Sequence, residues 1–161
     1  MNRIYVSFLL CFLTLFSFAM ELTGKVVRVT DGDTITVLCD QKMVKIRLNE
    51  IDSPERGQPF GKAAKKFTSD LAFGKEVTVQ THGQDKYGRT IGNVILPNGN
   101  NLNRELVKAG LAWWYRKYSK DESIGELEKE AREKKLGLWA DKNPIPPWDW
   151  RKGVRTSTKS E

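Results

Sequence analysis

Cysteine and histidine are nearly absent from this chain: its 161 residues include 2 Cys and 1 His. Cys11 sits in an N-terminal apolar run that reads as a removable leader, which leaves Cys39 alone. A domain with one cysteine has no intrachain disulfide, so it must be held by a packed core, helped by bound ions. Cys39 shares strand parity with Ile35 and Val37, which predicts a buried structural thiol rather than a nucleophile. His82 has no second histidine at ligand spacing, so zinc and histidine-based hydrolysis find no support, and the residue is expected in a loop. Long apolar runs are also missing. Residues 4–18 are uncharged and apolar but fall short of the roughly 20 that a membrane helix needs. With Arg3 before them and Ser17-Phe18-Ala19 at their end, they fit a secretory signal cut between Ala19 and Met20, an uncleaved anchor being the alternative. Leu10 before Cys11 matches a lipid-attachment site poorly, and no internal repeat is present.

Positive charge is in excess. Lys and Arg number 27 against 20 Asp and Glu, a net +7 that becomes +6 once Arg3 leaves with the leader. Such a balance favours polyanionic partners, either nucleic acid or anionic surfaces. The length suits one domain with a real core.

The most informative stretch is 43–55. Val44, Ile46 and Leu48 alternate with Lys45, Arg47 and Asn49, which predicts a half-buried strand carrying Arg47 on its outward face. The alternation slips at Asn49-Glu50, so a bulge or strand end belongs there, and Pro54 reinforces it. A cation is thus followed across a turn by Asp52 and Glu55. Such a strand end suits phosphate handling with a metal, or it is a surface strand with a polar turn.

Upstream, residues 22–29 and 34–39 read as strands joined at Asp31-Gly32-Asp33, where Asp-Gly signals a hairpin demanding positive φ. Asp40-Gln41-Lys42 makes the next turn. Downstream, Phe60, Ala64, Phe67 and Leu71 recur at helical spacing, and Gly74 stands where a glycine cap belongs. Strands follow at 76–80 and 90–96, separated by a polar loop at 81–89. Asn100 or Asn101 caps a second helix ending before Gly110, and a third spans 121–135 with Ile124, Leu127 and Ala131 inward. The prediction is an α+β fold: a five-stranded OB-fold-type β-barrel with three α-helices. Its divisions are a leader at 1–19, the barrel domain at 20–140, and a Pro/Trp-containing tail at 141–161. Prolines are expected to hold the tail extended over 143–150, with disorder from Ser157 onward.

Three separated pieces are Asp31-Gly32-Asp33-Thr34, the run from Arg47 to Glu55, and Asp85-Lys86-Tyr87-Gly88-Arg89. In order and spacing they resemble the thermonuclease (staphylococcal nuclease-like) family of calcium-dependent phosphodiesterases, over residues 25–139. The tail Pro-Pro-Trp-Asp-Trp-Arg is similar to that of exported bacterial members. The resemblance implies Ca2+ held by Asp33 and Asp52 with the backbone carbonyl of Ser53, a catalytic set of Arg47, Glu55 and Arg89, and Lys86 and Tyr87 beside a terminal phosphate. Tyr115 or Tyr118 matches an aromatic near the base or sugar. The implied activity is sugar-nonspecific endonucleolytic cutting of DNA and RNA, with water activated by Glu55 and products ending in 3′-phosphate. The implied setting is a secreted or periplasmic monomer without a stable membrane anchor. Taken singly, the acids also suit turn capping, the arginines rim salt bridges and the aromatics core packing. A competing reading is a nuclease-like barrel that binds nucleic acid or a protein without catalysis. Relatives of that kind lose the acid or an arginine, and both are kept here. A third is a basic exported domain that binds anionic envelope polymers.

Overall fold

The computed structural model describes residues 20–155. The leader with its cleavage position and the tail from 156 onward lie outside the described residues. Among those described, no helix is long and apolar enough to cross a membrane.

Five strands close into a barrel: β1 (Glu21–Asp31), β2 (Thr34–Cys39), β3 (Lys42–Leu48), β5 (Glu76–Gln84) and β6 (Thr90–Ile95), in the order β1-β2-β3-β6-β5. A two-residue strand, β4 (Ile51–Asp52), pairs outside the barrel with β7 (Trp113–Trp114). The alternation that predicts the strands also fills the interior. Val26, Ile35, Val37, Ile46, Leu48, Val79 and Val94 are almost wholly buried, each stabilising the fold by about 1.5–3 kcal/mol. Cys39 is a free, buried thiol on the same face, and burial pushes its pKa up. His82 lies on the exposed C-terminal end of β5 rather than in a loop, because β5 runs on to Gln84; its Nε2 is 3.2 Å from Asn93 Nδ2 on β6.

Two pairings decide where the polar residues go. Thr34 lies opposite Arg47 on the β2-β3 ladder, and Leu48 N donates to Asp33 O at 2.8 Å, so the start of β2 meets the end of β3. β3 then pairs in parallel with β6, Ile46 against Thr90, which brings Arg47 alongside the residues that follow Arg89. The slip expected after Leu48 is a sharp turn with Glu50 at φ 66°, which turns the chain into β4.

Gly32 is not in the positive-φ region. Glycine is required there for space: an added Cβ would lie 2.7 Å from Ala64 Cβ and 2.8 Å from Ser53 Cβ. Ala64 belongs to α1 (Gly61–Ala72), whose buried face is Gly61, Ala64, Thr68 and Ala72. The large residues Phe60, Phe67 and Leu71 flank that face and are only partly buried. Small residues at the centre let α1 approach β1 closely, and Thr68 Oγ1 donates to Gly32 O at 2.5 Å across the contact.

α2 (Leu102–Lys108) is capped by Asn101, whose side chain accepts from Arg104 N. α3 (Glu122–Glu133) begins at the Asp121 cap and buries Ile124 and Ala131 together with Glu128, an acid that the apolar stripe did not reveal. Glu128 accepts from Trp114 N at 3.2 Å and pairs with Arg116 at 3.1 Å. After a 3-10 turn at Gly137–Ala140, the tail runs without regular structure through 144–146 and then winds into a one-turn helix, α4 (Pro147–Trp150). This is a fourth helix beyond the three expected, and the tail is not extended throughout. Pro147 occupies a first-turn position, where proline's fixed φ suits a helix and its missing N–H costs nothing. Trp148 packs edge-on against Trp113, with 5.6 Å between ring centroids, so the tail is folded onto the body.

Candidate active site

All ten residues singled out from the sequence border one open groove at the mouth of the barrel. At its floor, Arg47 is 14% exposed, with both terminal nitrogens in contact with neighbours. Its Nη1 donates to Leu48 O at 2.6 Å and Ile51 O at 2.9 Å, tying the end of β3 to β4. Its Nη2 lies 2.8 Å from Asp52 Oδ1 and 3.3 Å from Asp33 Oδ2. One guanidinium thus stands between two buried carboxylates that would otherwise repel each other. The strand's outward face here is the half-buried groove, not open solvent.

Asp33 is placed by the hairpin. Its Oδ2 accepts from Ser53 N at 2.6 Å and its Oδ1 from Thr34 Oγ1 at 3.2 Å. Ser53 therefore joins the site through its backbone, while its buried Oγ has no partner. Asp52 is 1% exposed. Burial pushes its carboxyl up from the ordinary range, hydrogen bonds from Arg151 pull against this, and the Asp33 charge adds to the push. Asp31 also lines the groove and accepts from Asp33 N at 3.3 Å. Burial, with the Asp33 charge behind it, pushes its carboxyl up to about 6.

Glu55 follows Pro54 in the irregular segment before α1, with its side chain 35% exposed. The amide of buried Gln58 fixes this segment, accepting from Glu55 N at 2.9 Å and donating to Ile145 O in the tail at 2.7 Å. Also lining the groove, Asp85 organises the tight turn after β5. It accepts from Tyr87 N, Arg89 N and Arg89 Nε at 2.9, 3.0 and 2.6 Å. That set fixes Arg89 where it lines the groove. Lys86 Nζ lies 5.0 Å from the Tyr87 ring centroid, and Tyr87 is exposed. Tyr115 is half-buried, its ring face stacked on Trp148 at 5.2 Å and 10°. Tyr118, edge-on to Tyr115 at 4.8 Å, presents the more exposed ring.

The sequence reading missed Asp31, Gln58 and Arg151. Arg151 sits just past α4, and its Nη2 is 2.8 Å from Asp52 Oδ2 while its Nη1 contacts Glu55 Oε1. Its only signal was the quoted tail motif that it ends. Among the described residues, no three His, Cys, Asp or Glu side chains form a ready metal cage. The donor set nevertheless suits a hard cation: Asp33 and Asp52 are buried carboxylates, Asp31 stands beside them, and the open groove admits water to complete an oxygen shell.

Residues 45–141 match the family model described as staphylococcal nuclease homologue. The chain is 43% identical over 148 residues to a protein of Shigella flexneri named micrococcal nuclease, covering 86% of this chain and 85% of that one. It is 47% identical over 131 residues to an uncharacterised endonuclease of Escherichia coli O157:H7, covering 81% and 86%. It is also 42% identical over 114 residues to the staphylococcal-like nuclease CAN1 of Arabidopsis thaliana, covering 71% of this chain and 35% of that protein.

Proposed function

The chain belongs to the staphylococcal nuclease family, and on that premise we propose that it is a calcium-dependent, sugar-nonspecific endonuclease that hydrolyses DNA and RNA. The observation that carries this reading is the meeting of Asp33, Arg47 and Asp52 in one hydrogen-bonded cluster, with Arg151 linking Asp52 to Glu55 and Arg89 lining the same groove. Asp33 and Asp52, with the Ser53 carbonyl, would hold the ion. When bound, calcium polarises a phosphoryl oxygen and offsets developing negative charge.

The remaining work falls to the chain itself. Glu55 takes a proton from the attacking water, a role that typically contributes about 10²–10⁴-fold. Hydroxide adds to phosphorus in line with the 5′ oxygen; the P–O5′ bond breaks with its electron pair on O5′, which takes up a proton from solvent water to leave as the 5′-hydroxyl, and the 3′ side keeps the phosphate. The planar forks of Arg47 and Arg89 match the equatorial phosphate oxygens as lysine does not. Lys86 and Tyr87 steady a terminal phosphate, and Tyr118, with Tyr115 behind it, meets the base or sugar. Contacts confined to phosphate and ring faces carry little sequence information, consistent with nonspecific cutting. The proposed enzyme is a secreted or periplasmic monomer: the sequence of residues 1–19 supports export, and weak extracellular calcium sites working at roughly 10⁻⁴–10⁻³ M suit that setting.

The test is end-group analysis of a short oligonucleotide digest by mass spectrometry, with wild type and Glu55→Gln side by side. Fragments bearing 3′-phosphate, formed at least about 10²-fold more slowly by the variant, are expected. Fragments bearing 5′-phosphate would overturn the bond assignment, and a near-normal variant rate would remove Glu55 from its role. Absence of cutting by the folded wild type with any metal would favour the non-catalytic binder.

A further inference from the structure

The proposed roles leave Arg151 without a part. Arg151 reaches across 99 residues of sequence to Asp52 and 96 to Glu55. Its Nη2 is 2.8 Å from Asp52 Oδ2 and its Nη1 is 3.3 Å from Asp52 Oδ1, while Nη1 also contacts Glu55 Oε1. Arg47 holds the other side of Asp52 Oδ1 at 2.8 Å. Both oxygens of the buried acid are therefore capped by guanidinium, and the proposed general base is paired with the same cation. A divalent ion at Asp52 would lie within a few ångströms of Arg151.

The arginine is delivered by a built device. Gln58 ties Ile145 of the tail to the Glu55 segment. Trp148 is wedged between Trp113 and Tyr115, at 5.6 and 5.2 Å between ring centroids. The helical turn closes with Arg151 N donating to Pro147 O at 2.9 Å. Yet the Arg151 side chain is 43% exposed, so it can leave without disturbing the core.

Resting on the nuclease reading, we propose that Arg151 is an internal occupant of the cation position: its guanidinium competes with a divalent ion for Asp52 and Glu55, so docking of the tail sets the concentration at which the site loads. The guanidinium neutralises two acids that otherwise repel. Loading the site and freeing Glu55 both require it to swing out.

A charge within about 4–6 Å changes carboxylate proton occupancy by about one to three pKa units, and a dication is repelled at least as strongly. Calcium titrated calorimetrically into the purified protein, without nucleic acid, reads the competition independently of activity. Arg151→Gln should bind calcium about tenfold or more tightly than wild type. Arg151→Lys, which keeps the charge, should remain near wild type. Trp148→Ala, which loosens the tail but leaves the arginine, should shift in the same direction as Arg151→Gln. Equal or weaker affinity in Arg151→Gln, with binding by wild type intact, overturns the competition alone. No saturable calcium binding by either protein overturns the competition and the calcium assignment together.

Discussion

Replacing Gly32 by alanine tests how the hairpin, the Ser53 segment and α1 are locked together. The new methyl would sit 2.7 Å from Ala64 Cβ and 2.8 Å from both Ser53 Cβ and Ser53 Oγ. Ordinary carbon contacts are about 3.5–4.0 Å, so the shortfall is about 1 Å on two sides. Neither neighbour is the far end of a flexible side chain. Relief therefore requires α1 or the Ser53 segment to move, at a typical overpacking cost of about 1–3 kcal/mol. The Asp33 Oδ2 to Ser53 N bond, 2.6 Å long, spans the same gap. Stretching it by about 1 Å takes it past the hydrogen-bond limit and parts Asp33 from Asp52. A misplacement of that size costs about 10²-fold in rate. Urea denaturation and initial hydrolysis rates on the purified variant read both effects. A stability loss in the stated range with a rate within about twofold of wild type would refute the link between hairpin spacing and the site.

Arg89→Ala should lower the hydrolysis rate by at least about 10²-fold while leaving the thermal midpoint nearly unchanged; the measurement is steady-state kinetics beside a melting curve. Thr68→Val keeps the volume but leaves Gly32 O without its donor at a fully buried position, so denaturant titration should show a loss of about 1–3 kcal/mol. Burial opposes ionisation of Asp85, but hydrogen bonds from Arg89 and Tyr87 outweigh it and hold the carboxyl below its ordinary 3.8. A depressed folded-state pKa means stability that is present above 3.8 and lost as pH falls through the lower folded value. The stability gap between wild type and Asp85→Asn, followed by denaturation at successive pH values, should therefore narrow in acid below that point.

What could be read from the sequence was what depends on local pattern. Strict alternation located the strand through Ile46 and Leu48, and its slip at Asn49-Glu50 marked the turn that Glu50 makes at φ 66°. Asp-Gly correctly signalled a hairpin but for the wrong physical reason, because the constraint on Gly32 comes from α1 and Ser53, which are distant in sequence. The apolar stripe of α1 was displaced for a related cause: close approach selects the small faces of Ala64 and Thr68 over Phe67. Arg151 was out of reach of periodicity altogether. A proline-rich tail looks extended until Trp148 finds Trp113 and Tyr115, and nothing in the local order of residues announces that pairing.

The proposed function requires one ion and one phosphodiester to be held together at the groove floored by Asp33, Arg47 and Asp52. The most direct measurement is plasmid cutting by the purified protein in calcium, then in excess chelator, then with calcium restored. Calcium-dependent hydrolysis at this groove requires nicking and fragmentation that stop on chelation and return with the ion. Cutting that continues undiminished in chelator would contradict it.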